Sequence, residues 1–123
     1  MIAATDDPVR AALARGHRID ITTTGRRSGQ PRRIELVFHN IDGRIFISGR
    51  PGFPRGWIAN LKANPAMTFH LKGPIAHADL PALGRVISDR EERERIMPTI
   101  AAGWGYDLAL MVASSPLIEV TFD

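Results

Sequence analysis

The chain contains no cysteine. Disulfides, thiolate nucleophiles and cysteine-ligated zinc are therefore excluded. No apolar run approaches the length of a membrane span, and the N-terminus lacks the block pattern of a signal peptide, so a cytoplasmic protein is the expectation. Ser114-Ser115 has none of the glycines of a nucleophile elbow. There is no P-loop, and no three spaced glycines stand between a strand and a helix to bind a dinucleotide. The four histidines, His17, His39, His70 and His77, do not form a helical metal motif. His39 and His70 read instead as exposed strand residues. No repeat or low-complexity segment divides the chain. Its 123 residues suffice for one domain with a real core but not for two, so residues 1–123 are read as a single domain.

What is present is an ordinary soluble composition, 44% hydrophobic and 24% charged. The net charge is +3, which is modest for general nucleic-acid binding, and none is expected. The positive charge is mostly arginine, the side chain suited to bidentate contact with phosphate or carboxylate.

Those arginines crowd one stretch. Residues 22–36 read TTTGRRSGQPRRIEL, with an apolar run entering and another leaving. Two glycines and a proline between β-branched segments predict a tight turn joining two strands. Gly25 and Gly29 allow successive N–H groups to converge on one point, a nest for an anion. Arg26, Arg27, Arg32 and Arg33 add charge, and Ser28 adds a hydroxyl donor. A solvated basic hairpin is the other reading of the turn taken alone.

Along the chain, Asp6-Asp7-Pro8 starts a short helix carrying Val9, Ala12 and Leu13 on one face and ending at Gly16. Period-two alternation predicts strands at 17–24, from Arg32 to His39, at 44–49, 67–72 and 117–122. Asp42-Gly43 suits a primed hairpin turn. Residues 50–56 are a loop, and Trp57 to Asn64 a short helix in which Trp57 and Leu61 pack together. On that helix Asn60 falls near the apolar face, which is costly for an amide without a partner. Residues 75–87 read as strand in pieces, interrupted by Pro81. Overlapping capping boxes at Ser88 and Asp89 start a helix to about Ala102, with Glu91 and Arg95 paired and Ile96, Met97 and Ile100 inward. Pro98 is expected to kink or shorten it. The acidic run Asp89 to Glu94 is read as no more than that helix's N-terminus. Residues 108–113 fit neither pattern decisively.

Six or so antiparallel strands with a few short helices predict an α+β fold built on a small antiparallel barrel. Its core should include Ile34, Leu36, Phe38, Phe69, Leu71, Ile118 and Val120. An arginine turn and aromatic loops without an acid–base pair suggest that a bound cofactor carries the chemistry.

Residues 22–32, then Asp42-Gly43, then residues 57–65 reading WIANLKANP, resemble the deazaflavin-dependent nitroreductase family over about Ile19 to Glu94. The resemblance implies a split β-barrel related to flavin mononucleotide-binding oxidases. It implies the reduced deazaflavin coenzyme F420 as hydride donor to a quinone, nitroaromatic or other activated small-molecule acceptor. It places cofactor contacts at Arg27, Ser28 and Arg32, with Arg26 and Gly29 in the same turn. Others fall at Ser48, Gly49 and Arg50, and at Trp57 and Asn60. Trp104 and Tyr106 would wall the acceptor pocket, or else merely cap the barrel. The chain departs from the family pattern at Glu35 and Val37, in the short loop after Ser48, and in keeping only Trp104 and Tyr106 of several C-terminal aromatics. These departures leave the acceptor open. A homodimer is compatible with this barrel type. Two other readings fit the same residues: an FMN- or heme-binding relative of the barrel, and a non-enzymatic module holding an anionic small molecule.

Overall fold

The computed structural model describes residues 7–16, 18–52 and 55–122. Asp6, His17 and the middle of the 50–56 loop lie outside them. The element order is α1 (Asp7–Arg15), β1 (Arg18–Thr24), β2 (Pro31–Ile41), β3 (Arg44–Ser48), α2 (Gly56–Ala63), β4 (Ala66–Lys72), β5 (His77–Val86), α3 (Arg90–Ala101), α4 (Leu108–Ser114) and β6 (Leu117–Phe122). The strands close into an antiparallel barrel in the order β1-β2-β3-β6-β5-β4. The expected α+β barrel is what forms.

Alternation decides what faces inward. Ile19 and Ile21 of β1, Phe38 of β2, Ile45 and Ile47 of β3, Phe69 and Leu71 of β4, and Ile118 and Val120 of β6 are all buried. Phe69 sits at the centre, with edge-on rings at 5.3 Å from both Phe38 and Phe122. The amphipathic α1 closes one end with Val9, Ala12 and Leu13. At the other end α2 closes the barrel with Trp57 and Leu61. A Cβ at Gly84 would lie 3.0 Å from Met67 Sδ and 3.2 Å from Leu61, so the bare position lets Leu61 of α2 pack close against β5. A second apolar layer lies outside the barrel, where α3 and α4 cover Phe46 and Leu117 with Ile96, Met97, Ile100 and Met111.

Several local expectations change. Ile34 is 37% exposed rather than core, and Leu36 is only partly buried. The cause is the pairing of β2: residues 31–37 pair with β1, but β3 joins only from Val37 onward. The first half of β2 therefore has an open edge, and this is the split in the barrel. β5 runs unbroken through Pro81. Pro81 pairs with Thr68 on one edge, and β6 joins the other edge only from Ala82, so the ring sits where that edge is open. α3 likewise continues through Pro98 to Ala101. Asp89 is its N-cap, accepting from Glu92 N at 3.0 Å, and the i, i+4 pair that forms is Arg90–Glu94 rather than Glu91–Arg95. Residues 108–114 are helix, capped by Asp107, whose carboxylate accepts from Leu110 N at 3.1 Å. Asp42 (φ 53°) and Gly43 (φ 85°) make the primed turn.

His70 is not exposed. It is 8% accessible, with Nε2 2.7 Å from Thr22 Oγ1 and Nδ1 2.7 Å from Asp79 Oδ1. His39 is half-buried against Trp104, ring centroids 5.2 Å apart, and burial lowers its pKa.

Candidate cofactor site at the split of the barrel

The arginine turn folds on itself first. Gly25 N donates to Gln30 O and Gly29 N to Gly25 O, both at 2.8 Å, while Ser28 Oγ accepts from Gln30 N at 3.1 Å. Gly29 has φ 70°, a backbone that favours glycine, and a Cβ at Gly25 would lie 2.6 Å from Ser28 Oγ, displacing the hydroxyl that accepts from Gln30 N.

Asn60 then fastens the turn to α2. Its Oδ1 accepts from both the backbone N–H and Nη1 of Arg26, each at 3.1 Å. Its Nδ2 donates to Thr23 Oγ1 at 3.1 Å. The buried amide that stood out in the sequence thus finds partners inside the protein. Arg26 is spent in the same clamp, its Nη1 also reaching Gly56 O at 3.4 Å.

What the clamp leaves over is more informative. Arg33 is neutralised by Asp20 at 2.9 Å. Arg27 and Arg32 have no carboxylate or carbonyl partner among the described residues, and neither do the backbone N–H groups of Arg27 and Ser28. These groups surround a cavity of about 450 Å³, walled also by Ile34, Trp57 and Asn60. The Trp57 indole N–H is buried without a partner. α2 begins at this cavity, and Arg55 provides no side-chain cap for its first N–H groups. Unpaired guanidiniums, free N–H groups and an uncapped helix start all favour a negatively charged ligand. Thr23 and Ile34 escape a sequence reading of the site. Ile34 could be found only by knowing that β3 stops short of it.

The other site candidates lie elsewhere around the split. Gly29 shapes the turn without lining the cavity. Ser48 is buried, its hydroxyl donating to Pro116 O at 2.6 Å. Gly49 packs beside the Pro116 ring, and the Arg50 carbonyl accepts from Arg55 Nη2 at 2.7 Å. Trp104 lies on His39 beyond Val37 on the outer row of β2, and Tyr106, 41% exposed, stands edge-on to Trp104 at 6.4 Å. Val37 pairs directly with Ser48. Together these residues follow β2 from the arginine turn toward the aromatic pair. Among the described residues no cluster of histidine and carboxylate side chains could hold a metal ion, and no helix is long and apolar enough to cross a membrane.

Known proteins share this barrel. The barrel superposes on an F420-H2 dependent reductase at 24% identity and TM-score 0.61, covering 85% of this chain and 93% of that one. An F420 reductase matches at 16% identity and TM-score 0.69, covering 93% and 92%. A protein of the pyridoxinephosphate oxidase family from Clostridium acetobutylicum matches at 14% identity and TM-score 0.68, covering 92% and 80%. At these identities the likeness establishes the split-barrel fold. The family model for F420H(2)-dependent quinone reductase matches residues 3–114, nearly the whole chain. The chain therefore belongs to the F420H(2)-dependent quinone reductase family, a family of deazaflavin-dependent oxidoreductases.

Proposed function

We propose that this protein binds reduced F420 at the split of the barrel and reduces a quinone or similarly activated small molecule. The observation that carries this reading is the pair of unneutralised arginines, Arg27 and Arg32, on a turn rigidly clamped to α2. Both guanidiniums are exposed at the cavity and have no counter-charge among the described residues, so an anion can pair with them without displacing an existing partner. The phosphodiester and carboxylate tail of the cofactor fits that need, and a plain flavin mononucleotide would offer a single phosphate.

In this reading Arg27, Arg32 and Ser28 hold the tail. Asn60 acts one step back, fixing Arg26 and the turn backbone so that the free N–H groups stay aimed at the ligand. The Gly49–Arg50 backbone and the start of α2 at Trp57 flank the ring. The bound deazaflavin supplies the hydride, and the chain supplies position, so no side-chain nucleophile is required. Trp104 and Tyr106 form the acceptor wall, where the Tyr106 hydroxyl donates a hydrogen bond to the oxygen on which charge develops. Tyr106→Phe should lower turnover several-fold while leaving cofactor affinity unchanged, as measured by fluorescence titration beside steady-state assays.

Titration with F420, FMN and heme, followed by turnover assays with quinone and nitroaromatic acceptors, tests the proposal. Tight binding of F420 with quinone turnover is expected. Preference for FMN would move the protein to the flavin branch of the fold, and binding of F420 without turnover would leave a carrier module.

A further inference from the structure

A second basic cavity lies across α2 from the arginine turn. Gly56 and Asn60 face the turn, while Ile58 and Lys62, one helical turn apart, lie on the opposite side of the helix. There α2, the end of β5 and the C-terminal end of α4 enclose about 400 Å³. Arg55, Lys62 and Arg93 line it together with Ser88, Ser114 and Ser115, and no carboxylate does.

None of the three cations has a carboxylate partner among the described residues. Lys62 has no partner among the described residues. Arg55 donates to the Arg50 carbonyl alone, and its pKa is lowered by burial and then by the nearby charge of Arg50. Arg93 is buried and spends its donors on carbonyls: Val112 at 2.7 Å, Ile87 at 2.9 Å, Met111 at 3.1 Å, and Ser115. Those dipoles solvate the guanidinium without cancelling its charge. Beside them the Ser115 hydroxyl is buried with no partner among the described residues. Between the polar groups the wall is apolar, with Ile58, Val86 and Leu117.

We propose that this cavity is a second ligand site, separate from the arginine turn, for a small organic oxyanion: a carboxylate or phosphate monoester on an apolar body. Arg55 and Lys62 take the oxyanion, with the buried charge of Arg93 behind them, and Ile58, Val86 and Leu117 take the body. The assignment does not depend on the cofactor reading, since it uses neither the turn nor Trp57.

The test is a titration of the whole chain with benzoate and with phenyl phosphate, followed by amide chemical shifts, in the wild type, Lys62→Ala, Lys62→Glu and Arg27→Ala. Lys62 is exposed, so its variants should fold. Expected are saturable shifts at Ile87, Ser114 and Ser115, an affinity about ten- to a hundredfold weaker in Lys62→Ala, none left in Lys62→Glu, and no change in Arg27→Ala. Whichever probe binds more tightly identifies the headgroup. Shifts confined to residues 25–30, the same affinity in Lys62→Glu as in the wild type, or no saturable shift with either probe would each overturn the proposal.

Discussion

Two cation-rich regions of this barrel look alike in composition and differ in one respect. On the outer face of β1, β2 and β4 the lysine and arginine side chains each have a carboxylate within reach. Arg33 pairs with Asp20 at 2.9 Å, Lys72 with Asp20 at 2.7 Å and with Glu35, and Arg18 with Glu35 at 3.3 Å. A second ladder joins Arg44, Glu119, Arg85 and Glu92. At the arginine turn, Arg27 and Arg32 have no carboxylate partner among the described residues, while Asn60 ties the neighbouring Arg26 and Thr23 to α2. Charges neutralised in place serve the fold. Charges left unneutralised on a turn that is itself tied down are open to a partner from outside. The difference is made by the partners each strand register supplies, since arginine alone is common to both.

The largest effect should come from the cation that belongs to neither group. Arg93→Ala strips donors from four buried carbonyls and leaves a void under α4, so urea unfolding should show a loss of about 3 kcal/mol or more. Next, Arg27→Ala removes an unpaired charge. It should weaken F420 binding by about ten- to a hundredfold at low salt while the melting temperature stays as in the wild type. Unchanged affinity would mean that the turn is a solvated hairpin after all.

Third is the paired ladder. The hydrogen bond from Arg44 and then that from Arg85 hold the Glu119 pKa down to about 2, against an unperturbed 4.5. A lowered folded-state pKa gives stability that is complete above the unfolded value and is lost as pH falls toward 2. Glu119→Gln should therefore cost about 1 kcal/mol at neutral pH, and the gap between variant and wild type should close as pH drops through that window. The smallest effect should be Lys72→Met on the outer face. Because the pairs there are solvated, the cost should stay under about 1 kcal/mol, with no change in cofactor affinity.

How much of this was legible beforehand varied with how local the cause was. Strand alternation, the Asp42-Gly43 turn and the Asp89 cap are set by neighbours in sequence, and the structure matches them. Ile34 follows the correct alternation but its strand lacks a neighbour on one edge there, a fact of pairing between distant segments. Asn60 was visibly anomalous, yet its partners, Arg26 and Thr23, come from another element. Nothing in the β4 pattern reveals that His70 lies between Thr22 on one side and Asp79 on the other. Arg93 was submerged in an acidic run, although its spacing of three, four and seven from Ile96, Met97 and Ile100 puts it on the buried face of α3. The turn itself was legible because glycine, proline and clustered arginine carry their meaning locally.

Rapid mixing of the protein loaded with reduced F420 against a soluble quinone, followed by the return of oxidised-deazaflavin absorbance, tests the central claim most directly. The account predicts single-turnover oxidation much faster than in free solution, with a rate that rises and saturates with quinone. Oxidation no faster than that of free reduced F420, with the cofactor demonstrably bound, would contradict it.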